Sequence, residues 1–240
     1  MNAPYGLRCV ENCLTCHLRS ESFFCALPKE SLKVFDRIKQ VTPFAARSVV
    51  FMEGEAPRGI FMLCQGQVKL STTSRDGKTF LLRLAKAGDF LSLHATVTGK
   101  PHEVTVETNE ACQLNYVSRE DFLLFLKEHR DACLHAAQQV SRDCQDAYDV
   151  VRSIALSHSI SARVAKFLLA SAADGQHTDG IILATLALTH EDIAQIVGAN
   201  CETITRILSE FRRRDLVELR RSALIIYNKP ALEQLVLPTC

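Results

Sequence analysis

Residues 188–211 read LTHEDIAQIVGANCETITRILSEF, from Leu188 to Phe211, and this stretch organises the rest of the chain. Thr189-His190-Glu191-Asp192 has the form of a helix start, a capping hydroxyl followed three residues later by a carboxylate. Apolar Ile193, Ile196 and Val197 carry the helix to Gly198, which supplies a turn, and Asn200 is placed to cap a second helix. Ile204, Leu208 and Phe211 fall on one face of that second helix. Glu202, Thr205 and Arg206 therefore project from the opposite face near its N-terminal end, where a recognition helix meets base edges in the major groove. Their chemistry suits such a role: Arg bonds guanine O6 and N7 together, Glu accepts from the cytosine amine, and Thr offers a hydroxyl and a methyl.

Arg212, Arg213 and Arg214 follow directly, and Leu216 to Tyr227 alternates around Arg220-Arg221 as a hairpin would. An arginine run at a helix end is ordinarily a solvated terminus favoured by the helix dipole. Beside a recognition helix the expectation changes to phosphate clamping by Arg212 and Arg213. Upstream, Ser159 is placed to cap a helix running to Ala173, so 158–240 forms a helical unit with a small β-wing.

Further back the hydrophobic period changes. Leu32, Phe35 and Ile38 recur at helical spacing over Lys29 to Gln40. From about Arg47 to Ser118 the period is two, in Val49-Phe51, Ile60-Met62, Val68-Leu70, Phe80-Leu82-Leu84, Val104-Val106 and Leu114-Tyr116. Turn signals such as Gln65-Gly66, Asp76-Gly77 and Gly88-Asp89 separate these runs. Many short strands at this spacing mean a small β-roll over 28–126. Ser118 then begins helical sequence that bends near Glu128-His129 and continues to about Leu156, giving a long helix over 127–157. Along it Cys133, Ala137, Val140, Cys144, Ala147, Val151 and Ile154 repeat in four-three steps. Such a stripe either packs on the chain's own β-roll or pairs with a second copy. Its narrowness and its persistence over three heptads favour a homodimer seam. The fold class is α+β.

Residues 1–27 form a cysteine-rich arm carrying Cys9, Cys13, Cys16 and Cys25, out of ten cysteines in 240 residues. The N-terminus lacks both a basic region and an apolar core of an export signal, and no apolar run approaches a membrane span, so a cytoplasmic location is expected. In a reducing cytosol clustered thiols point to metal or redox chemistry rather than disulfides. Thiolates are soft ligands that suit zinc or an iron–sulfur cluster, and a [4Fe–4S] cube takes four. A net charge of +1 argues against a general polyanion binder while leaving room for a local basic surface. Cys9-x3-Cys13-x2-Cys16 also has the spacing of a radical-SAM cluster, but that enzyme chemistry needs a β/α barrel, which the meandering strands do not supply.

The stretch Leu188 to Phe211, together with the order β-roll, long helix, winged helix-turn-helix, resembles the CRP/FNR family of bacterial regulators across nearly the whole chain. The resemblance implies a transcription regulator, not an enzyme, with Glu202 and Arg206 as base readers. Its implied partners are a palindromic double-stranded operator, a second copy of the chain and RNA polymerase. Cyclic-nucleotide members carry a Gly-Glu pair and a later Arg-Ser or Arg-Thr pair. Here Gly88-Asp89-Phe90 is followed by Leu91-Ser92-Leu93 and then His102-Glu103-Val104, with no arginine for a phosphate. In FNR-type oxygen sensors three arm cysteines join one on the late β-roll strand. The resemblance thus implies Cys13, Cys16, Cys25 and Cys112 as ligands of a [4Fe–4S] cluster, with Cys9 in reserve, although the eight-residue gap between Cys16 and Cys25 is longer than in the best-known member. A structural zinc site on the same thiolates, or a small effector in the roll, is the alternative. Cys64, Cys133, Cys144 and Cys201 are read as packing residues.

Overall fold

The computed structural model describes residues 4–7, 11–16, 18, 25–157, 159–178 and 180–237. Cys9, His17 and Cys240, singled out in the sequence, lie outside the described residues. The chain divides into two compact units, 1–146 and 147–240.

In the first unit, helix α1 (Lys29–Ile38) precedes eight strands. These are β1 (Gln40–Phe44), β2 (Val49–Phe51), β3 (Gly59–Gln65), β4 (Gln67–Thr73), β5 (Thr79–Lys86), β6 (Phe90–Leu91), β7 (Thr105–Thr108) and β8 (Cys112–Ser118). They form two antiparallel four-stranded sheets, ordered β1-β8-β3-β6 and β2-β7-β4-β5, which face each other as a roll. A short helix, α2 (Leu93–Thr98), interrupts the strands after β6, and α3 (Arg119–Glu128) follows β8 directly. Ser118 caps α3 by accepting from the Asp121 amide. His129 then breaks the helical run where the sequence bends, and α4 (Arg130–Leu156) begins.

Side-chain alternation along β3 and β8 divides this unit into two cores. Leu63 of β3 and Cys112 and Leu114 of β8 point into the roll, with Phe51, Val68, Leu91 and Val106. Ile60, Met62 and Cys64 of β3 and Val117 of β8 point outward, where α1, α3 and the start of α4 cover them through Phe35, Phe122, Phe125, Ala132 and Ala136. Cys13, Leu18, Cys25 and Leu27 of the arm belong to this outer core as well. β3 is apolar on both faces, the pattern of a strand covered on both sides rather than one with a wet face.

On α4 the buried positions are Ala132, Ala136 and Gln139. They sit one residue behind the stripe read as a dimer seam, roughly 100° around the helix. Ala137, Val140, Cys144, Ala147, Val151 and Ile154 are all exposed in the single chain. The stripe is therefore not the face that packs on the roll.

The second unit contains α5 (Ile160–Ser171), the hairpin β9 (Gln176–Thr178) and β10 (Ile181–Thr185), helices α6 (His190–Val197) and α7 (Cys201–Arg213), the wing strands β11 (Val217–Arg220) and β12 (Ala223–Ile226), and α8 (Lys229–Val236). Its sheet runs β11-β12-β10-β9. One core joins Val164 and Leu168 of α5 to Ile193 and Val197 of α6, Ile204, Leu208 and Phe211 of α7, and Leu224 and Ile226 of β12.

Both helices of the turn unit carry their expected caps. Thr189 accepts from the Asp192 amide while Asp192 accepts from the Thr189 amide, a reciprocal box that satisfies two otherwise orphaned donors. Gly198, at φ 68°, ends α6 in the left-handed conformation, and Asn200 caps α7 through the Thr203 amide at 2.8 Å. Thr189→Ala should lower the stability of the second unit by about 1 kcal/mol. Chemical denaturation of the isolated unit checks this, and an unchanged midpoint would show that the box is redundant.

Candidate functional site

Two sets of side chains stand out, one on α7 and the wing, the other beneath the arm. On α7, Ile204, Ile207, Leu208 and Phe211 are buried, which leaves Glu202, Thr205 and Arg206 exposed on the outer face. Thr205 is held by a 2.9 Å hydrogen bond with His190 Nδ1, so the first turns of α6 and α7 are fixed to one another. The Arg163 guanidinium donates to the Val197 carbonyl at 2.7 Å and ties α5 to the end of α6. The reading face is thus a rigid platform.

At the far end of α7 the arginines divide. Glu218 on β11 accepts from Arg220 and from the Tyr227 hydroxyl, both at 2.9 Å, and lies 3.5 Å from Arg212. Hydrogen bonds from Arg220, then from Tyr227, hold its carboxyl below the usual carboxylate range. Arg214 pairs with Glu210 at 3.5 Å. Arg213 is exposed, and no ion pair to it occurs among the described residues. Of the two residues assigned to phosphate, Arg213 is thus the freer and Arg212 also braces the wing.

Beneath the arm, Cys13 and Cys25 are buried and Cys16 is half-buried. The Cys13 amide donates to Asp36 Oδ1 at 2.8 Å, which docks the arm on α1. Asp36 also accepts from Lys39 Nζ at 2.7 Å, and Lys39 donates to the Glu11 carbonyl. Burial opposes the Asp36 charge, but these donors outweigh it and its carboxyl stays below the ordinary value. Burial pushes the Cys13 thiol up to about 12. All eight cysteines among the described residues are free of disulfides.

The fourth residue of the expected ligand set does not join the other three. Cys112 points into the roll, on the opposite side of the sheet from the arm. Its thiol lies 3.3 Å from the Gln67 carbonyl and 3.2 Å from that of Glu110, and burial raises it to about 11. It is also fitted against Gly66, whose added Cβ would come within 2.6 Å of the sulfur. This placement follows from strand parity: Cys112, Leu114 and Tyr116 share one face, and the arm covers the other. Cys64, read as a packing residue, is in the same core as Cys13, Cys25 and half-buried Cys16. Among the described residues no group of three or more His, Cys, Asp or Glu side chains is arranged to hold a metal ion.

Acidic side chains on either side of α2 have partners: Asp89, in the turn after β5, pairs with Arg83 at 3.0 Å, and Glu103, beyond α2, contacts His94 at 2.9 Å. Elsewhere on the roll a cleft of about 670 Å³ is lined by Phe51, Phe61, Tyr116, Glu55, Arg58 and His102 among others. His102 stacks on Phe51 with ring centres 4.0 Å apart, and burial lowers its pKa against the pull of Glu55.

A roll of this topology, a long helix and a capped helix-turn-helix presenting Glu202, Thr205 and Arg206 define a DNA-binding transcription regulator. Residues 41–129 match the cyclic nucleotide-binding domain family and residues 162–235 the Crp-like helix-turn-helix domain. The chain belongs to the CRP/FNR family of transcription regulators. It is 24% identical over 189 residues to the cAMP-activated global transcriptional regulator CRP of Salmonella typhimurium, a match that covers 77% of this chain and 88% of that protein. It is likewise 24% identical over 197 residues to the global nitrogen regulator of Synechocystis, covering 81% and 87%. A CooA mutant from Carboxydothermus hydrogenoformans shares the fold with a TM-score of 0.75 at 17% identity, over 93% of this chain and 96% of that one. No helix among the described residues is long and apolar enough to cross a membrane.

Arg206→Ala should cost on the order of 1–3 kcal/mol in binding and relax preference at one base pair. Arg213→Ala should instead weaken binding to all sequences together and reduce the salt slope by about one unit. Binding-site selection with each variant checks both, and an Arg206→Ala profile identical to the parent's would remove that residue from the reading face.

Proposed function

We propose that the protein is an FNR-like regulator whose arm thiolates hold a [4Fe–4S] cluster, and that it binds a two-fold operator as a dimer in response to oxygen or redox state. The observation that carries this reading is that the arm cysteines share one core with the root of the long helix: Cys13 and Cys25 lie with Phe122, Phe125, Ala132 and Ala136. When bound, the cluster supplies an oxidant-labile cross-link between arm and roll. The chain's own residues do the rest. Asp36 and Lys39 seat the arm on α1, and Phe35 and Phe125, with ring centres 5.7 Å apart, carry the packing from α1 to α3. A change in how the arm packs therefore bears on where α4 starts.

Along α4 the exposed stripe of Ala137, Val140, Cys144, Ala147, Val151 and Ile154 would pair with the same stripe of a second copy. Small and polar members keep such a seam weak, which suits an association poised to be shifted by a distant site. RNA polymerase is the further partner that the family suggests, and the cytoplasm the location. A structural zinc on the same thiolates would leave the regulator blind to oxygen. The aromatic cleft beside Arg58 and His102 favours a second reading, in which a small planar effector sets the dimer instead.

Protein purified without oxygen should be brown and contain about four irons per chain, and air should bleach it. Colourless protein with stoichiometric zinc would sink the oxygen-sensing reading. Val140→Glu or Val151→Glu should leave the single chain folded, since both positions are exposed in it. In a dimer the same charge would be buried at a cost of several kcal/mol, so both variants should sediment as monomers and lose a palindromic site. Unchanged sedimentation would show that the stripe is not the seam. Sites selected from random DNA should be dyads with half-site centres roughly 34–36 Å apart.

A further inference from the structure

We propose that Cys64 of β3, and not Cys112 of β8, completes the thiolate set with Cys13, Cys16 and Cys25. The inference rests on the cluster-binding reading above and names the ligand set of that site. The outer face of the β1-β8-β3-β6 sheet is the one that the arm covers, and successive strand residues point to opposite faces. Cys64 faces outward with Ile60 and Met62, whereas Cys112 faces the roll interior with Leu114. For Cys112 to turn to the arm, β8 would have to slip by one residue, and every side chain on the strand would change face with it.

Cys64 also sits at an irregularity. Leu63 pairs with Leu114 and Gln65 with Gln113, so Cys64 is the extra residue of a β-bulge, a device that re-aims a side chain. The face it points to is not an ordinary apolar one. Gln113 and Asn115 of β8 are fully buried there beneath the arm. Asn115 Nδ2 lies 4.0 Å from Cys13 Sγ, and its Oδ1 has no hydrogen-bond partner among the described residues. The Asn115 amide donates toward the Cys13 sulfur, and donors of this kind around sulfur ligands tune a cluster. Lys39, whose side chain is 4% exposed, adds a buried cation beside the thiols. The Cys64 thiol lies near enough to Cys13, Cys25 and Cys16 to interact with each of them. The four sulfurs share one core.

Cys112 has a different task. Its sulfur is committed to the carbonyls of Gln67 and Glu110 and to the space that Gly66 leaves open.

The full chain and its Cys64→Ser and Cys112→Ser variants would be loaded anaerobically with iron and sulfide. Iron per chain, visible absorbance and melting temperature would be measured with and without the metal. The parent and Cys112→Ser should each bind about four irons and gain the same increment in melting temperature. Cys64→Ser should retain less than about a quarter of the iron and gain no increment, while its metal-free form melts close to the metal-free parent. If Cys64→Ser loads fully, or if its metal-free form already melts as far below the metal-free parent as its loaded form melts below the loaded parent, Cys64 is a packing residue and the inference fails while the cluster reading stands. A parent that takes up no iron overturns both.

Discussion

The two-residue alternation of β3 and β8 is the constraint on which the first unit depends. These strands are neighbours in one sheet, and each supplies side chains to two cores at once. Leu63, Cys112 and Leu114 close the roll, and Ile60, Met62, Cys64 and Val117 carry everything outside it. A strand covered on both faces cannot afford polar alternation, which is why β3 reads GIFMLCQ from Gly59 to Gln65. The same sheet therefore fixes which sulfurs meet the arm and which do not.

A second parity operates on α4. The stripe that packs on the roll, Ala132, Ala136 and Gln139, runs one residue behind the stripe left bare, Ala137, Val140, Cys144 and onward. Ala132 and Ala136 of the inner stripe share a core with Phe122 and Phe125 of α3. The outer stripe leaves Val140, Val151 and Ile154 partly in water in the single chain, so covering them would contribute only a fraction of the roughly 1.5–3 kcal/mol that full burial of a branched side chain is worth. An uncovered stripe of this length on a long helix is the mark of a face that meets a partner.

The sequence carried the second unit almost whole, because its helices are written in local chemistry. Thr189 with Asp192, Gly198 and Asn200 mark the ends of α6 and α7 where they are found. Elements without such marks were not legible. β1 contains Pro43 and pairs only with β8, so its edge position, not a periodic signal, makes it a strand. α2 is six residues long and Ser92 before it is left-handed, with no side-chain cap to announce it. The cysteines show the same divide. That Cys112 shares a face with Leu114 and Tyr116 was readable from spacing alone. Which face the arm covers is tertiary information, and a single cysteine in an apolar strand such as Cys64 ordinarily signals packing.

On the proposed reading, the energy available from the arm can be compared with the energy a switch requires. Moving a two-state equilibrium from one side to the other takes a differential of about 5.5 kcal/mol. The arm places Leu18 and Leu27 in the outer core, and two buried leucines are together of that order. Neither the wing nor the reading helix needs to change its own structure for this to matter, because Thr205 is fixed to His190 and Arg212 is braced by Glu218. What the arm can alter is the ground beneath α4, where Ala132 and Ala136 share its core. A seam built from alanine and cysteine as much as from valine and isoleucine has little surplus to resist such a change. The economical design is then one in which the thiol site sets the packing of the helix root, and the weak stripe beyond it converts that packing into the number of chains on the DNA.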